Sequence, residues 1–436
     1  MPDDPVNRPK STREDAVTLL KRLRDAGHMA YFAGGCVRDM LLGREPKDFD
    51  VATDAPPNRV RELFSNSQAV GAAFGVILVR LRGSQIEVAT FRAEDRYLDG
   101  RHPSHVRFTT AEEDAKRRDF TINGLFLDPL NDEVIDYVGG QEDLKAGRIR
   151  AIGNPTRRFD EDSLRLLRAV RFSARFGFPI EPATAAAIVE HAPQLKRISP
   201  ERVAEELRIM LTPPTRGTAW RMLWELELLP VIFRFLRGPR EPRRQSRPLL
   251  FDRVDPGAAI PFGLALAAAV LCFRMRTEPQ VSDARMLLTK SEIQAAVHAM
   301  RQGLKVSNEE SEQMRGTLAG VAPLLADQPP GVALLKRFLA EPTANLSRAL
   351  LDAQHAVGVE TQRIDWLRKE LDALERTDFA PPPLINGDIL TGLGLVPGPL
   401  FKKILDEVYD AQLEGRVGTR EEAERMALDL ARSAGA

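Results

Sequence analysis

The feature that most constrains this chain is a change of texture near residue 152. Before it, short runs rich in Val, Ile and Phe recur: AYFAGG at 30–35, DFDVAT at 48–53, GVILVRL at 75–81, IEVATF at 86–91, VRF at 106–108, GLFLD at 124–128 and VIDYVG at 134–139. Gly, Asp or Pro bound these runs, a pattern that predicts strands joined by turns. After Asp160 the strand signal almost vanishes, and apolar positions return at helical spacing, as at Leu164, Leu167, Val170 and Ala174. The expected fold is therefore α+β, with an α/β head containing a small sheet, then an all-helical neck, body and tail.

Punctuation in the sequence places the boundaries. The Pro- and Arg-rich stretch at 237–257 reads as an exposed linker, and APPP at 380–383 is a second break. The expected domains are 1–152 (head), 153–240 (neck), 258–379 (body) and 380–436 (tail). Ser11 with Glu14 forms a capping box for a first helix whose apolar face is Ala16, Leu19, Leu20 and Leu23, and Gly27 ends it. Ser199-Pro200 starts another helix, and Thr419 with Glu422 caps one in the tail.

Several function classes are excluded by composition. Lys plus Arg equals Asp plus Glu at 62 each, so there is no global basic field, and a nucleic-acid partner would need a local patch. The longest nearly apolar stretch, Ile260 to Phe273, is broken by Pro261 and Gly263 and falls short of the roughly 18 residues of a membrane span, so it reads as a buried helix. Two cysteines make no disulfide framework, and the six histidines form neither a His-Asp pair nor a cluster with cysteine. A signal peptide is not evident, and a cytoplasmic location is expected. Any metal must be held by carboxylates.

Such carboxylates occur in one place. Gly34-Gly35-Cys-Val-Arg38-Asp39 follows an apolar run and precedes a helical one, so two glycines at a strand-to-helix junction let backbone N–H groups approach a phosphate. Shortly after comes Asp48-Phe49-Asp50, in which strand alternation puts both carboxylates on one face. Paired like charges call for a divalent cation, and Mg2+ takes a few carboxylates together with substrate phosphates. Glu87, on the strand Ile86-Glu87-Val88, is a candidate third carboxylate.

Glycines and paired carboxylates in an α/β head resemble the nucleotidyltransferase superfamily. The chain more closely resembles the bacterial-type (class II) CCA-adding tRNA nucleotidyltransferases, on AYFAGGCVRDMLLG at 30–43, DFDVAT at 48–53, VATFR at 88–92, RRDFTINGL at 117–125 and RRFDEDSLRLLRAVRFSARFGF at 157–178. ISPERVAEEL at 198–207 and the tail from INGDIL to REEA match more weakly. Similarity is strong over about 28–210, whereas 240–380 matches only in helical character. Gly124 stands where relatives often have Ala.

The resemblance implies addition of C, C and A to the 3′ end of tRNA from CTP and ATP, with no membrane and no obligate protein partner. It further implies that Asp48 and Asp50 hold Mg2+ as catalytic carboxylates, in a two-metal site that activates the tRNA 3′-hydroxyl and stabilises the leaving pyrophosphate. By the same resemblance Gly35 and Arg38 contact the nucleotide, Arg118 and Asp119 serve its triphosphate and ribose, and Asn123 supports them.

Asp162, Arg165, Arg168 and Arg171 recur every third residue, which on a helix makes a slanted ribbon roughly 13 Å long, about the length of a nucleoside triphosphate. These residues coincide with the family's EDxxR motif and its following arginines. A carboxylate only accepts hydrogen bonds and a guanidinium only donates, so an Asp162/Arg165 pair matches cytosine and adenine, which present an amino donor beside a ring-nitrogen acceptor. Uracil and guanine present the reverse order. Arg168 and Arg171, further along, are expected at the phosphates.

The rival resemblance is bacterial poly(A) polymerase, which shares the head motifs but typically carries an Arg-rich segment after the carboxylates. This chain has VGAAFGVILV at 70–79 instead, which favours CCA addition. The segment 93–109 fills the position of a flexible loop that CC-only enzymes shorten, which favours full or A-only addition. Loss of chemistry would show as a missing carboxylate or arginine, and none is missing.

Overall fold

A computed structural model describes residues 11–71, 75–94, 106–236, 250–274 and 288–433. Residues 72–74, most of the 93–109 loop and the first part of the 237–257 linker lie outside the described residues, as do the readings placed on them. The chain divides into two compact units, Met1–Met210 with Met222–Ile232, and Leu211–Arg221 with Phe233–Ala436.

In the first unit the strands are β1 (Ala30–Ala33), β2 (Val51–Thr53), β3 (Ser67–Gly71), β4 (Val76–Leu81), β5 (Ser84–Thr90), β6 (Arg92–Glu94), β7 (Val106–Phe108), β8 (Leu125–Asp128) and β9 (Glu133–Asp136). Seven of them form one mixed sheet in the order β3-β4-β5-β2-β1-β8-β9, and β6 and β7 pair as a separate antiparallel ribbon. Among the described residues only β2 and β5 run parallel as neighbours in the sheet, through Val51↔Val88, Ala52↔Ala89 and Thr53↔Thr90. Alternation along β5 buries Ser84, Ile86, Val88 and Thr90 and turns Glu87 outward. β3, SQAVG, carries too few β-branched residues to announce itself in sequence.

Nine helices of this unit are α1 (Arg13–Asp25), α2 (Gly35–Leu41), α3 (Pro57–Leu63), α4 (Ala111–Arg117), α5 (Gly140–Ala146), α6 (Pro155–Glu161), α7 (Leu164–Phe176), α8 (Pro182–His191) and α9 (Pro200–Leu211). The apolar face of α1 is buried as its spacing predicts, but the helix starts one residue later than expected. Thr12 is its cap, accepting from the Asp15 N–H, while the Ser11 hydroxyl accepts the Phe49 N–H at 2.5 Å. A tertiary hydrogen bond thus outranks the local box. Gly124 is packed so closely that a Cβ there would lie 2.6 Å from Val138 Cγ2, which explains why this chain keeps glycine.

The second unit contains helices joined by loops, with no strand among its described residues. Phe262–Arg274 is the expected apolar helix, with every residue from Leu264 to Leu271 buried. It is too short to cross a membrane, and no helix among the described residues is long and apolar enough to do so. The linker reading fails at its C-terminal end: Leu250 and Phe251 are fully buried, and the Phe251 ring stacks on Trp220 at 4.2 Å. Charged neighbours hid an apolar pair. In the tail, Ile385, Leu390, Ile404, Val408 and Ala427 share one apolar cluster, and Thr419 and Glu422 exchange the two hydrogen bonds of the expected box.

Candidate active site

A cleft of about 830 Å3 opens in the first unit where β1, β2 and β5 meet α2, α4 and α7. Its lining includes Gly35, Arg38, Asp50, Glu87, Arg118, Asp119, Asn123, Asp162, Arg165 and Arg168. Asp48 and Arg171 are not among the lining residues.

The glycine turn works by close approach. Gly34 has φ +71°, and a Cβ on it would sit 2.9 Å from Arg118 Nη1, so glycine is required twice over. Gly35 has an ordinary φ, and its Cβ would meet only Arg38 Nη2, at 3.6 Å. Arg38 is 4% exposed. Its Nε donates to Asp39 Oδ1 at 2.9 Å and its Nη1 to Asn123 Oδ1 at 2.5 Å, and the guanidinium lies over Phe172 and Phe176. Burial pulls the Arg38 pKa down, and Asp39 counteracts it.

The carboxylates gather at the parallel strand pair. Asp48 to Asp50 lead into β2 and do not belong to the strand itself, yet their burial still alternates. Phe49 is buried against Phe32 with ring centroids 5.3 Å apart, Asp48 is exposed and Asp50 half-buried. Asp50 and Glu87 each sit one residue before the Val51↔Val88 pair, so they are neighbours across two parallel strands. Burial, then Glu87 and Asp48, push the Asp50 carboxyl up to about 7, and Arg118 opposes this. Among the described residues no three His, Cys, Asp or Glu side chains converge as a ready-made metal cage.

Around them, arginines are matched with carboxylates. Arg168 donates from Nε and Nη2 to Asp119 Oδ2 at 2.8 and 2.6 Å. Asp119 Oδ1 accepts from the Phe120 N–H at 2.8 Å and from Asn123 Nδ2 at 3.0 Å. Those bonds fill the roughly four acceptor positions of a carboxylate. Burial would raise the Asp119 pKa, but the Arg168 guanidinium and the Asn123 amide hold it well below the usual carboxylate range. Removing one partner of such a buried pair costs about 3–5 kcal/mol, so these pairs fix one another's positions.

The ribbon differs from its sequence reading at its first member. Asp162 precedes α7, in extended conformation at φ −147°, ψ 101°. Its Oδ1 accepts from the Leu164 N–H at 3.0 Å, a short-range bond that starts α7 after Asp162 instead of at it. Its Oδ2 accepts from Arg202 Nη2 at 2.9 Å. Arg165 follows on the helix, donating to Glu161 Oε2 at 2.8 Å, Arg158 O at 2.9 Å and Arg117 O at 3.1 Å. Asp162 and Arg165 thus share the cleft wall, and the Arg165 N–H donates to the Asp162 carbonyl at 3.1 Å, while the side-chain bonds just given run to other residues. Arg171 pairs with the buried Glu206 at 3.3 Å, outside the lining.

Sequence reasoning missed Arg92, Arg117, Phe172 and Arg202, all of which line the cleft. Arg202 lies 40 residues from Asp162, its partner, and no local pattern signals that pairing. Phe172 could have been found: it lies one position beyond Arg171 in the motif, and the guanidiniums of Arg38, Arg168 and Arg171 all stack on it.

The chain is similar to known proteins in sequence and in fold. A sequence model described as "Poly A polymerase head domain" matches residues 30–150, and one described as "Probable RNA and SrmB- binding site of polymerase A" matches 177–238. The chain is 32% identical over 405 residues to a CCA-adding enzyme of Leuconostoc mesenteroides, covering 92% of each chain. It is 40% identical over 267 residues to one from Lacticaseibacillus paracasei, covering 61% of this chain and 65% of the relative. A crystal structure of the Bacillus stearothermophilus CCA-adding enzyme in complex with CTP superposes with a TM-score of 0.72 at 27% identity, covering 97% of this chain and 98% of the other.

Proposed function

We propose that this chain, which belongs to the family of CCA-adding enzymes, adds C, C and A to the 3′ end of tRNA from CTP and ATP, without a template and with release of pyrophosphate. The observation that carries the reading is the cleft: a Gly34-Gly35 turn, the Asp50/Glu87 pair and the arginines Arg38, Arg118 and Arg168 line one space sized for a nucleotide. Its arginines suit a triphosphate, since a guanidinium offers a fork that matches phosphate oxygens. Arg38 and Arg118 are each braced by a carboxylate along one edge and so hold their orientation before any ligand enters.

Asp50, with Asp48 and Glu87 beside it, is the set that would hold a divalent cation, Mg2+ by its hardness. Burial first, and then the neighbouring Glu87 and Asp48 charges, raise the Asp50 carboxyl, and carboxylates placed so close suit an ion ligated by few of them and completed by phosphate oxygens. When bound, such an ion supplies charge neutralisation at the transferring phosphate and acidifies the attacking hydroxyl. Asp119, saturated by its own partners, holds Arg168 and Asn123 against the triphosphate and ribose. Asp162 reads the amino group of cytosine or adenine, with Arg165 and Arg202 as the donors beside it, because a carboxylate that already accepts two hydrogen bonds has room for another.

On this reading residues 1–152 are the catalytic head, 153–240 the neck that reads the base, 258–379 the body and 380–436 an RNA-binding tail, and the enzyme works in the cytoplasm, where tRNA is its partner. Purified protein given CTP and ATP with a tRNA transcript lacking its last three nucleotides should add three residues and stop. A long A tail on an unstructured RNA primer, with CTP unused, would move the assignment to poly(A) polymerase, and extension only of transcripts already ending in CC would make it an A-adding enzyme.

A further inference from the structure

One buried carboxylate has no place in the mechanism above. Asp114, on the inner face of α4, is 1% exposed, whereas Glu112 and Glu113 beside it face solvent. Its Oδ1 accepts from Arg117 Nε at 2.8 Å and from the Arg92 backbone N–H at 3.2 Å. Its Oδ2 accepts from Arg118 Nε and Nη2 at 3.2 and 3.0 Å. With those bonds its acceptor capacity is spent, so Asp114 has no direct part in holding a ligand. Arg92, Arg117 and Arg118, its three partners, all line the cleft.

Arg118 is held along two edges and one face. Asp114 takes one edge of the guanidinium, the Asn123 carbonyl accepts from Nη1 at 3.1 Å, and the Phe126 ring lies beneath at 4.8 Å from the centroid. The helical register explains the arrangement: Asp114 stands three residues before Arg117 and four before Arg118, so one carboxylate meets two consecutive arginines that a helix would otherwise splay 100° apart. Through the Arg92 N–H it also ties in the start of the β6/β7 ribbon.

We propose that Asp114 is a positioning residue for nucleotide binding, fixing Arg117 and Arg118 so that both face the triphosphate; this rests on the nucleotide-transfer reading given above. Asp114→Asn keeps the volume but turns an amide N–H2 toward guanidinium donors. It should raise KM for CTP and ATP by the same factor, roughly tenfold or more, with a smaller fall in kcat, and leave tRNA affinity unchanged.

A double-mutant cycle separates positioning from general stability. kcat/KM is measured for wild type, Asp114→Asn, Arg118→Gln and the double variant, alongside CTP binding by calorimetry without tRNA and a thermal melt. If Asp114 acts through Arg118, the double variant is within about twofold of Arg118→Gln alone. Fully additive losses, or wild-type KM in Asp114→Asn, would overturn the proposal. Should Asp114→Asn not fold, Asp114→Glu takes its place, and an unchanged CTP affinity there overturns it equally. Wild type that binds CTP but adds nothing to tRNA would instead refute the transfer reading and leave the calorimetric arm standing.

Discussion

The two units bury charge in opposite ways. Around its cleft the first unit buries Arg38, Asp39, Asp114, Asp119, Arg165 and Glu206, and each finds an opposite charge. In the second unit Arg216 is the one ionisable side chain buried among the described residues, and it donates to the backbone carbonyls of Thr212, Val254, Asp255 and Ala258. That guanidinium staples loops. Interlocked pairs lining a cavity instead hold several forks at fixed angles, which is what binding a polyanion demands, so substitutions should separate activity from stability according to the unit they strike.

The sharpest contrast lies at the carboxylates. Asp50→Ala and Asp48→Ala should each drop nucleotide transfer in Mg2+ to below about one hundredth, equivalent to roughly 2.7 kcal/mol of transition-state stabilisation, while circular dichroism matches wild type. Activity above a tenth of normal in a folded variant would remove these residues from the reaction.

Glycines sharpen the comparison next. Gly34→Ala meets both an unfavourable φ, worth about 1–2 kcal/mol, and a Cβ that displaces Arg118, so kcat/KM should fall about tenfold or more. Gly35→Ala should cost less than Gly34→Ala, because its φ is ordinary and its Cβ meets no protein atom closer than Arg38 Nη2 at 3.6 Å. In the second unit, a Cβ on Gly303 would lie 2.1 Å from Phe235 Cε1. Gly303→Ala should therefore cost roughly 1–3 kcal/mol in a thermal melt and leave kcat/KM of the folded protein alone. Reversal of these two phenotypes would break the contrast.

Within the cleft, Arg165→Ala should raise UTP or GTP relative to CTP and ATP, because a base N–H is no longer opposed there. The effect should be about one order of magnitude in the ratio of kcat/KM values. Arg171→Ala, acting from beside Glu206, should weaken all four nucleotides alike and by less. Unchanged ratios in the Arg165 variant would dismiss it as a reader of the base and pass that role to Arg202.

The smallest effect concerns acid. Asp114 and Asp119 are held below the usual carboxylate range, so their stabilisation is present above the unfolded value of about 3.9 and is lost as pH falls through their folded values. The carboxylates held low in the second unit, Glu312 and Glu422, are exposed, so they contribute little. Acid titration followed by hydrogen exchange should show the first unit opening first below about pH 4. Opening of the second unit first would contradict this.

Legibility follows the range of the interactions. The strand runs, the buried face of α1 and the apolar helix at Phe262–Arg274 were readable because period and composition are local. Phe251 was not, since only its contact with Trp220, far along the chain, reveals its burial. In the site, the sequence reading, through its resemblance to the family, singled out Arg38 and Asn123, whose bond spans 85 residues, and Arg168 and Asp119, whose bond spans 49. It misplaced Asp162 because a three-residue recurrence does not mark where a helix begins, and it passed over Asp114 because an acid in a charged helix looks like surface.

The central claim is that this one cleft takes C and then A according to the end of the tRNA it is given. Its most direct test is single-nucleotide extension of three transcripts, ending before CCA, after the first C and after the second. CTP alone should extend the first two and stop at CC, ATP alone should extend only the third, and UTP and GTP should extend none. Extension of the first transcript by ATP alone, or of any transcript by all four nucleotides, would contradict the account.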